Sequence, residues 1–124
     1  MATTLTQDRQ TTAHYIKSES NMDRSREAVV IASGAGILKA GTVLGQITAS
    51  KKYTIHDPAA EDGSETARAV LFEGCDATDV DVRRTVTARD AEVVAEALNW
   101  VDGISDNDKN TALAALAALG IIAR

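Results

Sequence analysis

Gly41-Thr42-Val43-Leu44-Gly45 and, further along, Asp62-Gly63-Ser64-Glu65-Thr66-Ala67-Arg68-Ala69-Val70-Leu71 are the stretches that decide how this chain is read. The first leaves a glycine and enters β-branched and aliphatic residues, the pattern of a tight entry into a strand. The second is an acidic turn that feeds a nearly continuous apolar strand. Working outward from this pair, Ala28-Val29-Val30-Ile31-Ala32-Ser33 reads as a short buried strand broken by Gly34-Ala35-Gly36. The run Thr42 to Ala49 places Val43, Ile47 and Ala49 on one face by period two, and Tyr53 to His56 resumes extended chain. Asp57 to Glu65 reads as a loop, marked by the only proline, Pro58, and by Asp62-Gly63. Ala67 to Glu73 is expected to be a strand buried on both faces. Val80 to Val82 and Thr85 to Thr87 alternate as half-exposed strands.

The chain has 124 residues, room for one domain with a modest core. Hydrophobic residues make up 44% but aromatic ones only 3%, namely Tyr15, Tyr53, Phe72 and Trp100. The core must therefore be built of Val, Ile, Leu and Ala, which bury less area each. A formal charge of −5 disfavours a nucleic-acid partner, because an acidic surface repels phosphates. There is no lysine-rich amphipathic stretch, no apolar run of transmembrane length and no apolar segment near Met1 that reads as a secretory signal. The single cysteine, Cys75, excludes an intramolecular disulfide and fits synthesis in a reducing cytosol.

Residues 1–27 are rich in Thr and Ser, and their four acids are balanced by four basic residues, so the whole net charge belongs to residues 28–124. Their larger apolar groups, Leu5, Tyr15, Ile16 and Met22, are scattered. This composition predicts a flexible arm ahead of a single domain. Thr-rich chain favours extension, and Tyr15-Ile16 offers an anchor on a partner's sheet edge. At the other end, Ser105 is placed to cap a helix, with Asp108 three residues on. Leu113, Leu116 and Leu119 are expected to face the core, Gly120 to stop the helix, and Ile121-Ile122 to tuck back onto the sheet. Between these, Ala91 to Trp100 is ambiguous: its Ala, Glu and Leu content favours helix, whereas its alternation favours strand.

Candidate chemistry is sparse. Cys75 with His14 or His56 would make a thiol–imidazole pair, but Asp76 beside Cys75 disfavours a thiolate, and a structural cysteine is the plainer reading. Asp76, Asp79 and Asp81, and again Asp102, Asp106 and Asp108, lack the central glycine and distal glutamate of a calcium loop; turns and helix caps explain them. Gly34-Ala35-Gly36 lacks the third glycine of a dinucleotide fingerprint, because Lys39 stands there. Lys51-Lys52 and Arg83-Arg84 read as solvated turns or as rim contacts to an acidic neighbour.

The two opening stretches, taken with Leu98-Asn99-Trp100, Ser105-Asp106 and Gly120-Ile121-Ile122 in that order, resemble the head-decoration proteins of tailed bacteriophages, the lambda-type capsid-stabilising family. The resemblance runs from about Ala40 to the end of the chain. It implies a mostly β (α+β) fold: a small β-barrel or β-tulip-like domain with one short C-terminal helix, in which Ala91 to Trp100 is extended. It implies a homotrimer on the outer surface of an expanded phage head, made in the host bacterial cytoplasm. There it would bind the major capsid protein at local three-fold sites and stabilise the shell against internal DNA pressure. It further implies no enzyme activity, no catalytic or metal residues, no cofactor, and no nucleic-acid, membrane or small-molecule partner. Family arms order on the capsid. Here the arm contacts expected on physical grounds are Thr3, Thr4, Leu5, Tyr15 and Ile16. The alternative, a small β-barrel ligand-binding module or a hydrolase of unknown substrate, needs convergent polar groups that the sequence does not supply.

Overall fold

The computed structural model describes residues 11–20 and 24–124. In chain order the strands are β1 (Ile16–Glu19), β2 (Arg26–Ile31), β3 (Gly36–Leu38), β4 (Val43–Gln46), β5 (Tyr53–Ile55), β6 (Ala67–Leu71), β7 (Cys75–Ala77), β8 (Val82–Thr87) and β9 (Ala91–Val93). Helix α1 (Asp106–Ala118) and strand β10 (Ile121–Ala123) complete the fold. Strands β2, β5, β4, β6 and β8 close into a barrel; β1, β9 and β10 form a second sheet with β9 central; β3 and β7 form a ribbon. The fold is mostly β, with one closed barrel and one short C-terminal helix, as expected.

Two cores share one wall. Ile31, Leu44, Tyr53, Leu71 and Val86, one from each barrel strand, fill the barrel interior, and Leu38 and Cys75 from the ribbon join them. On the other side of β4 and β6, Val43 and Val70 pack with Tyr15, Val93, Leu116 and Ile121 under α1. Neighbouring residues on one strand thus serve different cores, as strand alternation requires. A bulge refines this pattern: Leu44 pairs with Ala69 but Gly45 with Ala67, so Arg68 is the extra residue and points to solvent. The expected two-faced burial holds for Ala67 and for Ala69 to Leu71; Arg68 is exposed, and Phe72 and Glu73 lie beyond the strand and are half-buried.

The two stretches quoted at the outset touch. A Cβ at Gly45 would collide with the backbone of Ser64, so the acidic turn lies directly on β4. That turn is held by the Asp62 carboxylate, which accepts from the Ser64 amide at 3.0 Å and from its hydroxyl. Gly41 has φ +91°, and a Cβ there would stand 2.9 Å from the Ala97 carbonyl oxygen. Only glycine meets both demands.

On the N-terminal side, residues 11–20 and 24–27 also pack into the fold. β2 starts at Arg26, and β1 pairs antiparallel with β9. Residues 16–19, read from composition as arm, are a strand of the second sheet. Residues 91–100 are neither one strand nor one helix. β9 ends at Val93, Ala95–Ala97 make a single 3-10 turn, and Asn99 bridges to Thr42. The Tyr15 and Arg124 carbonyls accept from the Val94 and Ala95 amides, so the chain stays tied to its neighbours up to the start of that turn.

Ser105 caps α1, its hydroxyl accepting from the Asp108 amide at 3.1 Å. The buried residues of the helix are Ala112 and Leu116. Leu113 is half-buried, and Leu119 is 38% exposed and ends the helix. The expected row of three leucines is therefore corrected: a spacing of three falls short of a 3.6-residue turn, so the row winds round the helix. The i, i+4 pair faces the sheet instead. After Gly120 the chain reverses and β10 lies parallel to β9, with Ile121 buried. We expect Leu116→Ala to destabilise the fold by about 2–5 kcal/mol and Leu119→Ala by under about 0.5 kcal/mol. Urea melts compare the two; equal effects would show that the helix presents a different face.

Candidate functional site

The groups that carry nucleophilic chemistry are kept apart by the fold. Cys75 sits in the barrel core, where burial pushes its thiol pKa up. Asp76 and Glu73 push the same way against an opposing pull from Arg84. The two ring nitrogens of His14 lie 2.9 and 3.2 Å from the Thr11 and Ala97 carbonyl oxygens, outside that core. His56 is buried at the end of β5. Its Nε2 donates to the Glu65 carbonyl at 3.1 Å, its ring stands edge-on to Trp100, and its Nδ1 has no partner.

The acidic clusters organise turns. Asp76 accepts from the Thr78 amide at 3.1 Å and from its hydroxyl at 2.6 Å. Asp81 accepts from the Ser33 amide at 2.8 Å and pairs with Lys52 at 2.6 Å. These hydrogen bonds hold both carboxyls below the usual carboxylate range. Asp106 and Asp108 occupy the first turn of α1. Among the described residues no group of three His, Cys, Asp or Glu is placed to hold a metal ion. Of the basic doublets, Lys52 is in that ion pair, and the Arg84 guanidinium donates to the Gly74 and Arg83 carbonyls.

The expected arm contacts divide. Thr3, Thr4 and Leu5 lie outside the described residues. Tyr15 is fully buried; its hydroxyl lies 2.6 Å from Thr87 Oγ1 and donates to the Val70 carbonyl at 3.4 Å. Burial pushes its phenol pKa well up, although the Thr87 bond pulls the other way. Ile16 packs half-buried against the same core. Tyr15 thus anchors the N-terminal strand to the chain's own barrel wall. Composition missed this because a lone Tyr in polar sequence shows no period. Beside it, Glu19 accepts from Arg26 and Ser25. The Arg26 bond holds its carboxyl below the usual range, and the Arg26 guanidinium stacks 4.3 Å from the centre of the Phe72 ring.

Apolar side chains also reach the surface. Ile37 is 75% exposed and Val80 62%. Two open clefts meet at Trp100. One, of about 520 Å³, runs between Leu98, Trp100 and the Leu113 side of α1. The other, of about 330 Å³, runs between Trp100, Ile55 and Ile37. In a chain with so few aromatic residues, the lone Trp is the sequence signal that could have pointed to this region.

The family model of the bacteriophage lambda head decoration protein D matches residues 4–121. The match takes in the barrel, the β3–β7 ribbon, β1, β9 and α1, and ends at the first residue of β10. The chain belongs to that family. It is a phage head decoration protein and associates with the capsid. No individually curated protein matches it. The family is one of structural head proteins, in keeping with a barrel whose interior is filled by side chains.

Two outcomes follow for the decoration protein's stability. Tyr15→Phe removes the hydroxyl and leaves the buried Thr87 hydroxyl and Val70 carbonyl without that partner, so it should cost about 1–3 kcal/mol in a urea melt; no loss would show that the N-terminal strand is held by packing alone. Burial lowers the His56 pKa from 6.5, against opposing pulls from the Glu65 carbonyl, Asp57 and Asp108. The unfolded chain then takes up the proton more readily, so stability is held above pH 6.5 and falls as the pH drops through that value towards the folded pKa. Melting temperature should therefore fall more steeply between pH 7 and 5 in the wild type than in His56→Gln; parallel slopes would exclude His56 as the cause.

Proposed function

We propose that the protein binds as a homotrimer to the outer surface of an expanded phage head, at local three-fold positions. There it clamps neighbouring subunits of the major capsid protein against the pressure of packaged DNA. It acts by binding and performs no catalysis, and it is made in the host cytoplasm before joining the virion. The family match across nearly the whole described fold carries this reading. The placement of polar groups supports it, since the acids serve turns and caps and the histidines and cysteine stand apart.

A ligand that binds only the closed shell stabilises that shell by mass action. Many bound copies act together, each opposing a local opening. Thr3, Thr4 and Leu5 are proposed as capsid contacts. They lead into β1, an outer strand of its sheet, and an extended segment can add main-chain hydrogen bonds to a sheet edge.

DNA-filled heads should survive heating or chelation longer when decorated, and removing residues 1–10 should weaken head binding while leaving the melt of the free protein unchanged. Cys75→Ser should protect as well as the wild type. Equal survival of bare and decorated heads would exclude the clamp. Full binding by the shortened protein would exclude the arm contacts.

A further inference from the structure

We propose that the apolar strip around Trp100 is the contact between copies of this chain, with Ile37 of one copy seated in the cleft between Trp100 and Leu113 of the next. This rests on the trimer reading above and names its interface. The two clefts share Trp100 in their walls and between them reach from β3 to α1. Ile37 stands at one end, 75% exposed on a three-residue strand whose next residue, Leu38, turns into the barrel core. An isoleucine held in water by a paired strand is a preformed knob. The cleft beside Leu113 is open and half apolar, with a tryptophan at its wall, the residue type that most often anchors protein contacts.

Charge selects a second copy as the occupant. The chain carries −5, so two copies repel unless their facing charges are matched. Lys39 borders the Ile37 end of the strip. Glu96 and Asp106, against the single Lys109, border the Leu113 end. None of these four is in an ion pair among the described residues. Setting the Ile37 end of one copy on the Leu113 end of the next brings Lys39 to a cleft with a carboxylate excess. Unlike ends meeting in this way repeat from copy to copy, and such a contact closes a three-membered ring when each copy is turned by a third of a revolution from the last.

Sedimentation of the free protein and cross-linking on decorated heads test the contact. Ile37→Asp changes a residue already in water, so its melt should match the wild type while association weakens at least about tenfold. Lys39→Glu and Glu96→Lys should each weaken association, and the two together should restore it. If Ile37→Asp and both charge variants assemble like the wild type, the contact lies elsewhere and the trimer reading stands. If Ile37→Asp assembles normally but loses head binding, the strip faces the capsid and the proposal is overturned. A wild-type protein that is monomeric both free and on heads removes the trimer reading, and this contact with it.

Discussion

Strands β4 and β6 form a wall with a core on each side, and the packing of the whole chain depends on it. Val43 and Val70 lean towards α1, whereas Leu44 and Leu71 lean into the barrel. Neither side can be repacked alone, because a shift of one residue along either strand would exchange the two sets of side chains. The bulge at Arg68 and the close approach of Ser64 to Gly45 fix that register. With few aromatic residues, each core is small, and sharing a wall lets the same two strands serve both.

The fold was legible where a local rule was strong. Glycine followed by Thr-Val-Leu, an Asp-Gly turn and a Ser cap with Asp three residues on each act within a few residues, and each is found where expected. Legibility failed where distant partners decide the outcome. Tyr15 looked like arm because its partners, Val70 and Thr87, are 55 and 72 residues away. Ala95-Glu96-Ala97 has helical composition, but backbone carbonyls from both ends of the chain hold the preceding residues extended, so only one turn forms. β3 and β7 are three residues each, too short to show a period.

The surface was the least legible part. A polar cluster announces itself in sequence by residue type, and here Asp76 holds a turn, Asp81 ties Ser33 and Lys52, and Asp106 and Asp108 lie in the first turn of α1. An apolar contact face is assembled from residues far apart in the chain. Ile37, Trp100 and Leu113 belong to a ribbon, a connecting segment and a helix, and only the fold sets Trp100 in one cleft with Leu113 and in another with Ile37.

The sheet β1-β9-β10 has a mechanical consequence. β9 is gripped on one side by the N-terminal strand, running against it, and on the other by β10, running with it. Tension applied through residues ahead of β1 and directed along that strand would load its hydrogen bonds to β9 together, in shear, rather than peel them one at a time. Tyr15, bolted to Val70 and Thr87, passes part of that load directly into the barrel wall. A tether at this end is therefore anchored in two places, and a pull along β1 meets its greatest resistance where the chain is most deeply buried.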